Sequence, residues 1–148
     1  MTVQVGLCGV GETEYVRGTP KSSLQLGVQA ARAACADAGI DPCAIDGVIP
    51  SYGSTAEDFA VALGISDLRF HANLAIGGAS AVSAVSLAAQ VVRAGYASRV
   101  LIVGGSAQYS GGRRLSDASG AAMNLVWPSQ AIRTHIEFPS GMSVPMQW

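Results

Sequence analysis

The residue types and spacing most able to carry chemistry gather at the turn Gly77-Gly78-Ala79-Ser80, between an alternating run and a long alanine-rich one. A small-residue turn that opens a helix presents backbone N–H groups without intrahelical partners, at the positive end of the helix dipole. Such a turn suits an anion or a developing oxyanion, although the same pattern serves in many chains as a tight connection only.

The elements that must position this turn are legible on both sides of it. In Leu68-Arg69-Phe70-His71-Ala72-Asn73-Leu74-Ala75-Ile76 the apolar residues fall on even positions, the period of a half-buried strand over residues 68–76. Residues 81–94, AVSAVSLAAQVVRA, carry almost nothing polar on any face, which suits a helix buried on most sides and stopped at Gly95. Residues 99–103 read as a fully buried strand. Upstream, residues 3–7 alternate like a strand. Ser22-Ser23-Leu24-Gln25 has the form of a capping box, with Leu24, Val28, Ala31 and Cys35 on one helical face ending at Gly39. Pro42 restarts the chain, Asp46-Gly47 turns it and Val48-Ile49 begins a short strand. Ser54-Thr55-Ala56-Glu57 is a second capping box, opening a helix through Phe59 and Leu63 to Gly64. After Gly104 no period is sustained, so residues 105–129 read as a loop region with at most one short helix near residues 120–125.

Competing chemistries are weaker. Gly78-Ala79-Ser80-Ala81-Val82 reads G-x-S-x-V, one residue short of a nucleophile elbow, and Asp117 and His135 follow in Ser…Asp…His order. The branched Val82 stands where close strand–helix packing needs a small residue, and no strands separate Asp117 from His135, which argues against a serine hydrolase. Gly6, Gly9 and Gly11 spell G-x-x-G-x-G, the reverse of the dinucleotide fingerprint, and a loop rather than a helix follows. His71 and His135 lack a second ligand at metal spacing, so no metal site is expected. Arg113 and Arg114 could pair with phosphates, but adjacent loop arginines are usually just solvated. Tyr109 follows the last strand closely enough to reach a pocket mouth.

The 148 residues amount to one domain, 49% hydrophobic and 13% charged with net charge −1. The apolar excess calls for a partner surface, while the charge gives no field for nucleic acid or an anionic membrane. No run approaches a membrane span and the N-terminus lacks a signal-peptide pattern, so a cytoplasmic protein is expected. Cys8, Cys35 and Cys43 are odd in number and lack CxxC spacing, which suggests reduced, mostly buried thiols without a disulfide or zinc framework.

Residues 78–90, Gly-Ala-Ser-Ala-Val-Ser-Ala-Val-Ser-Leu-Ala-Ala-Gln, resemble the nucleophile helix of the thiolase superfamily, whose usual form is Cys-Ala-Ser-Gly followed by an apolar helix containing Leu-Ala-Ala-Gln. The register holds through Gly95 to Val103-Gly104-Gly105, and residues 137–145 resemble the segment lining the family's cavity. The resemblance is to the N-terminal half of a lipid-transfer-protein, sterol-carrier-type thiolase. It places Gly78 at the acyl-accepting cysteine, so the thioester of Claisen chemistry cannot form there. It implies an α/β core over residues 1–104, with a mixed sheet and a buried central helix, and a loop region over residues 105–148 covering an acyl-CoA pocket. The substrate it implies is a coenzyme A thioester, with no covalently bound cofactor. Gly78, Ala79, Ser80, Tyr109 and Met142 are the substrate-binding candidates, and no catalytic residue is assigned. Phe70, Asn73 and Leu74 are candidates for strand pairing across a dimer axis. Cysteine-free relatives of this type include aldolases that cleave a carbon–carbon bond of steroid side chains with an OB-fold partner. The expectation is therefore retro-aldol cleavage by a homodimer or with a companion thiolase-like or OB-fold subunit, the alternative being a non-catalytic acyl-CoA-binding or scaffold module. The second half of the family's chain is not matched, and ending on Trp148 makes the sequence look cut short.

Overall fold

The structure is a computed structural model that describes residues 4–74 and 76–107. Its elements are α1 (Ser23–Ala38), a short 3-10 turn (Pro42–Ala44), β1 (Gly47–Tyr52), α2 (Ala56–Leu63), β2 (Phe70–His71), a second 3-10 turn (Gly77–Ala79), α3 (Ser80–Arg93) and β3 (Val100–Gly104). The strands form one sheet in the order β2-β1-β3, and both pairings are parallel. The α/β class is as expected, but among the described residues the sheet is parallel rather than mixed. β1 and β2 are each followed by a helix that carries the chain back to the next strand, which is the connection parallel pairing demands.

The chain moves from β1 to β2 in one direction and from β2 to β3 in the other. Right-handed crossovers in opposite directions put α2 and α3 on opposite faces of the sheet. On the α1 and α2 side the core gathers Ala31, Cys35, Ile45, Val48, Phe59, Leu63, Leu101 and Val103. The alternate residue Ile49 is fully buried toward α3, whose inward positions are Ala84 and Val91. Gly27 lets α1 approach the Phe59 ring, which a methyl group there would meet at 2.7 Å.

Helix boundaries follow their sequence signals. Ser22 caps α1 in the expected box with Gln25, and Gly39 ends it at φ 66°. The α2 box is shifted by one residue from expectation: Thr55 accepts from the Asp58 N–H at 3.3 Å, and Asp58 accepts from the Thr55 N–H at 3.1 Å. Asp58 occupies the third helical position in that register, with a side chain able to reach back to the cap. Gly64 and Gly95 stop α2 and the α3 turn in left-handed conformation.

Two further expectations fail. The strand expected at residues 3–7 is absent among the described residues, where Gln4 to Leu7 pair with no strand. The backbone just after them is drawn onto α1 instead: Val10 N–H donates to Asp37 at 2.9 Å, and side chains at Gly9 or Gly11 would strike Ala34 and Ala30. The thiols are also less buried than expected, since only Cys35 is inside while Cys8 and Cys43 are exposed. Burial pushes the Cys35 thiol pKa up, and the hydrogen bond that the Cys43 thiol donates to the Asp41 carboxylate does the same for Cys43.

Candidate functional site

The turn in front of α3 is built by a strand that outruns its formal ends. Beyond β2, Ala72 N–H donates to Val48 O at 3.3 Å and Leu74 N–H to Pro50 O at 3.5 Å, so the extended chain follows β1 toward its C-terminal end. Exposure alternates as its sequence period requires: Leu68, Phe70, Ala72 and Leu74 are half-buried while Arg69, His71 and Asn73 are exposed. Of the strand expected over 68–76, residues 68–74 are present as extended chain, with regular pairing confined to two residues. Phe70, Asn73 and Leu74 all lie on this edge of the sheet.

The chain then closes into the 3-10 turn Gly77–Ala79 and enters α3 at Ser80. Ser80 is 3% exposed, and its Oγ accepts from the Ile76 N–H at 3.1 Å. The serine thus ties the turn backward to the incoming strand and does not cap the helix. The residue before α3, Ala79, makes no side-chain cap hydrogen bond. Gly78 and Ala79 are exposed, so this helix start is open on the side of its first residues.

Among the described residues, the three α-helices all begin at the same edge of the sheet. Helix α2 begins a few residues beyond the end of β1, and α3 follows the β2 extension. At α1, Ser23 Oγ accepts from the Ala107 N–H at 3.2 Å, just past the end of β3. Parallel sheets bind ligands at this edge, where strand ends and helix starts converge. Here Gly53 and Gly105 permit a backbone approach that a side chain would block.

A cleft of about 410 Å³ lies at this edge on the α1 side, between residues 11–19 and the chain after β3, with Leu26 and Ala30 on its α1 wall. Sequence reading did not single it out; the only signal was the glycine density before Glu12. At the opposite edge, Asp46 accepts from Ser98 N–H at 2.9 Å and Arg99 N–H at 2.7 Å, with Arg69 at 4.0 Å. This carboxylate, read in the sequence only as a turn residue, clamps the starts of the strands. His71 Nδ1 lies 3.7 Å from Glu57 Oε1, both side chains being exposed. The Glu57 carboxyl is held below its usual pKa, chiefly by its backbone hydrogen bond at the helix start and then by Thr55 and His71.

The structure brings together Gly78, Ala79 and Ser80. Tyr109 and Met142 lie outside the described residues, as do Arg113, Arg114, Asp117 and His135, and the loop region expected from residue 105 lies outside them past Ala107. No helix among the described residues is long and apolar enough to cross a membrane.

No family model matches the chain. The steroid side-chain-cleaving aldolase of Thermomonospora curvata is 33% identical over 144 residues, covering 96% of this chain and 36% of that protein. The 17-hydroxy-3-oxo-4-pregnene-20-carboxyl-CoA lyase of Mycobacterium tuberculosis is 30% identical over 144 residues, covering 96% and 37%. Among solved structures, the Ltp2-ChsH2(DUF35) aldolase superposes with a TM-score of 0.67 at 30% identity, covering 86% of this chain and 35% of that one. Xanthomonas campestris OleA bound with cerulenin matches with a TM-score of 0.56 at 20% identity, covering 87% and 36%, a likeness of fold alone. The chain spans about a third of the length of the curated relatives it matches. A parallel three-stranded sheet with an open helix start behind its edge strand, matched over most of this chain by those structures, gives it a thiolase-like α/β fold.

Proposed function

We propose that this chain forms the thioester-binding part of an acyl-CoA carbon–carbon lyase that works by retro-aldol cleavage in lipid or steroid breakdown. The observation that carries the reading is Gly78, exposed and unable to act as a nucleophile, at the start of a helix whose N-cap residue makes no side-chain cap hydrogen bond. Similarity to proteins named as a steroid side-chain-cleaving aldolase and a carboxyl-CoA lyase supports it. In such a cleavage a base removes the proton of the 3-hydroxyl, the bond between the second and third carbons breaks, and the third carbon becomes a carbonyl. The electron pair passes to the thioester as an enolate, which is then protonated at the second carbon. The charge peaks on the thioester oxygen, where preorganised N–H donors act most strongly. Gly78 to Ser80 take that role here, with Ser80 fixing the turn. No covalent acyl intermediate is required, so the loss of a cysteine is compatible with the reaction.

The partner in this reading is a companion thiolase-like or OB-fold subunit, or a second copy of the chain, with the edge strand at Phe70, Asn73 and Leu74 as the pairing element. Tyr109 and Met142 are proposed to line the acyl-CoA pocket. A second reading, a non-catalytic acyl-CoA-binding or scaffold module, draws on the outer face of α3, where Val82 is 76% exposed and Val85 is exposed beside it. An exposed apolar face of this kind can mark a partner surface. The test is incubation with a 3-hydroxyacyl-CoA, alone and with a companion subunit, followed by mass spectrometry. A carbonyl product together with a shortened acyl-CoA is the expected result. Binding without cleavage in every combination would leave only the scaffold reading.

A further inference from the structure

We propose that Cys8 and Cys35 are a redox pair, which under oxidising conditions forms a disulfide that staples the segment ahead of the cleft onto α1. The placement comes from how that segment packs. A Cβ at Gly11 would strike the Ala30 carbonyl and the Ala34 amide, and one at Gly9 would strike the Ala34 carbonyl and lie 2.8 Å from Ala38 Cβ. Read backward from Gly11 to Gly9, the backbone therefore runs along α1 toward its C-terminal end. Between the two glycines, Val10 N–H is held by Asp37 Oδ2 at 2.9 Å. One residue earlier still, Cys8 reaches the last turn of the helix, where Cys35 sits between Ala34 and Ala38.

Standard bond lengths put the Cα atoms of Cys8 and Cys35 no more than about 10 Å apart, and a disulfide needs about 4.4–6.8 Å. A swing about Gly9, which has no side chain to hinder it, covers the difference. Among the described residues no strand pairs with Gln4 to Leu7, so the sheet does not oppose the movement. Cys8 also adds to burial and Asp41 in pushing the Cys35 thiol up, as a sulfur close by would. The third thiol belongs elsewhere, with its Sγ 3.6 Å from Leu63 O at the end of α2. Exposed Cys8 is the attacking group and buried Cys35 the resolving one. The Cys8 thiolate attacks a small-molecule disulfide, whose S–S bond breaks, and the released thiolate takes up the proton that Cys8 gave. The Cys35 thiolate then attacks the Cys8 sulfur of the mixed disulfide and expels the second small thiolate, which takes the Cys35 proton. The chain is oxidised by two electrons and the small disulfide is reduced to two thiols. The loop so closed contains residues 11–19 and the α1 positions Leu26 and Ala30, which face each other across the cleft. Oxidation thus fixes the two walls to each other, and reduction frees them.

The experiment exposes the full chain, folded and in urea, to oxidised glutathione, blocks the remaining thiols with iodoacetamide and maps the digest by mass spectrometry. In the folded chain the Cys8 and Cys35 peptides should be recovered joined to each other, and dithiothreitol should separate them. The oxidised form should melt several degrees above the reduced one, because the link restricts the unfolded chain. Cys8→Ser, at an exposed position, should melt with reduced wild type and show neither the link nor the rise on oxidation. Cys8 recovered only as a mixed disulfide with glutathione, Cys8 joined to Cys43, or a Cys8–Cys35 link that forms only in urea would each overturn the proposal. So would a rise in melting temperature on oxidation that Cys8→Ser retains.

Discussion

The starts of α2 and α3 lie at one edge of one sheet, yet they are finished differently. Thr55 and Asp58 close α2 by exchanging hydrogen bonds with each other's backbone, so its free N–H groups are partly used by its own side chains. At α3 the hydroxyl of Ser80 is turned back to Ile76, and Gly78 and Ala79 just before the helix are exposed. Side chains therefore close the helix start at α2 and do not close it at α3. The apolar side chains differ in the same sense. Phe59 of α2 is wholly buried against α1, whereas Val82 and Ile76 beside the α3 start face outward, the latter 55% exposed.

The largest effect that tests this contrast is Phe59→Ala. Removing a wholly buried ring should cost about 3–5 kcal/mol, read as a lower urea midpoint. Val82→Ala on the open face of α3 should change stability by less than about 0.5 kcal/mol. Comparable losses at the two positions would erase the distinction between a closed and an open side.

Thr55→Ala should cost about 1 kcal/mol, the usual value of an N-cap, with ester binding unchanged. A change in ester affinity without a change in stability would move the binding edge from α3 to α2. Gly78→Cys, with Cys8, Cys35 and Cys43 replaced, sharpens the contrast from the other side. The new thiol should alkylate with an apparent pKa below the ordinary value of about 8.5, because free N–H groups and the helix dipole favour thiolate. Iodoacetamide rates against pH measure this, and a value at or above that of a free cysteine would remove the anion-binding role.

The native thiols give the opposite sign. Burial at Cys35 and the Asp41 hydrogen bond at Cys43 both favour the neutral form, so each should need a higher pH than a free thiol to reach half its limiting alkylation rate. The smallest effect belongs to Glu57→Gln. The Glu57 pKa is lowered in the folded chain, so its contribution is present above the ordinary carboxylate range and fades as pH falls through the folded value. With both partners exposed to solvent, melting curves of the variant and wild type at neutral pH should overlap.

Local signals carried much of the fold. The Ser22 box and Gly39 bounded α1 correctly, Gly64 stopped α2, and the alternation from Leu68 to Leu74 appears residue by residue in its burial. These succeed because capping, left-handed stops and a two-residue period are decided within a few neighbours. The Thr55 box was misplaced by one residue because Ser54-x-x-Glu57 and Thr55-x-x-Asp58 are equally good boxes on paper. Which is used depends on where β1 delivers the chain.

What the sequence by itself determined, then, is the presence of the helices and of the extended run, and the absence of a thiol at position 78. Only the tertiary structure decided the rest. The N-terminal alternation of residues 3–7 did not become a strand among the described residues, because pairing needs a partner edge while Gly9, Gly11 and the Asp37 carboxylate offered the neighbouring backbone a helix instead. Asp46 became the clamp of the strand starts because Arg99 and Arg69, remote in sequence, return beside it. Gly78 became an open position because no other part of the described chain comes within 4 Å of where its side chain would begin. Pairing, clamping and vacancy are properties of what surrounds a residue, and only folding brings those surroundings together.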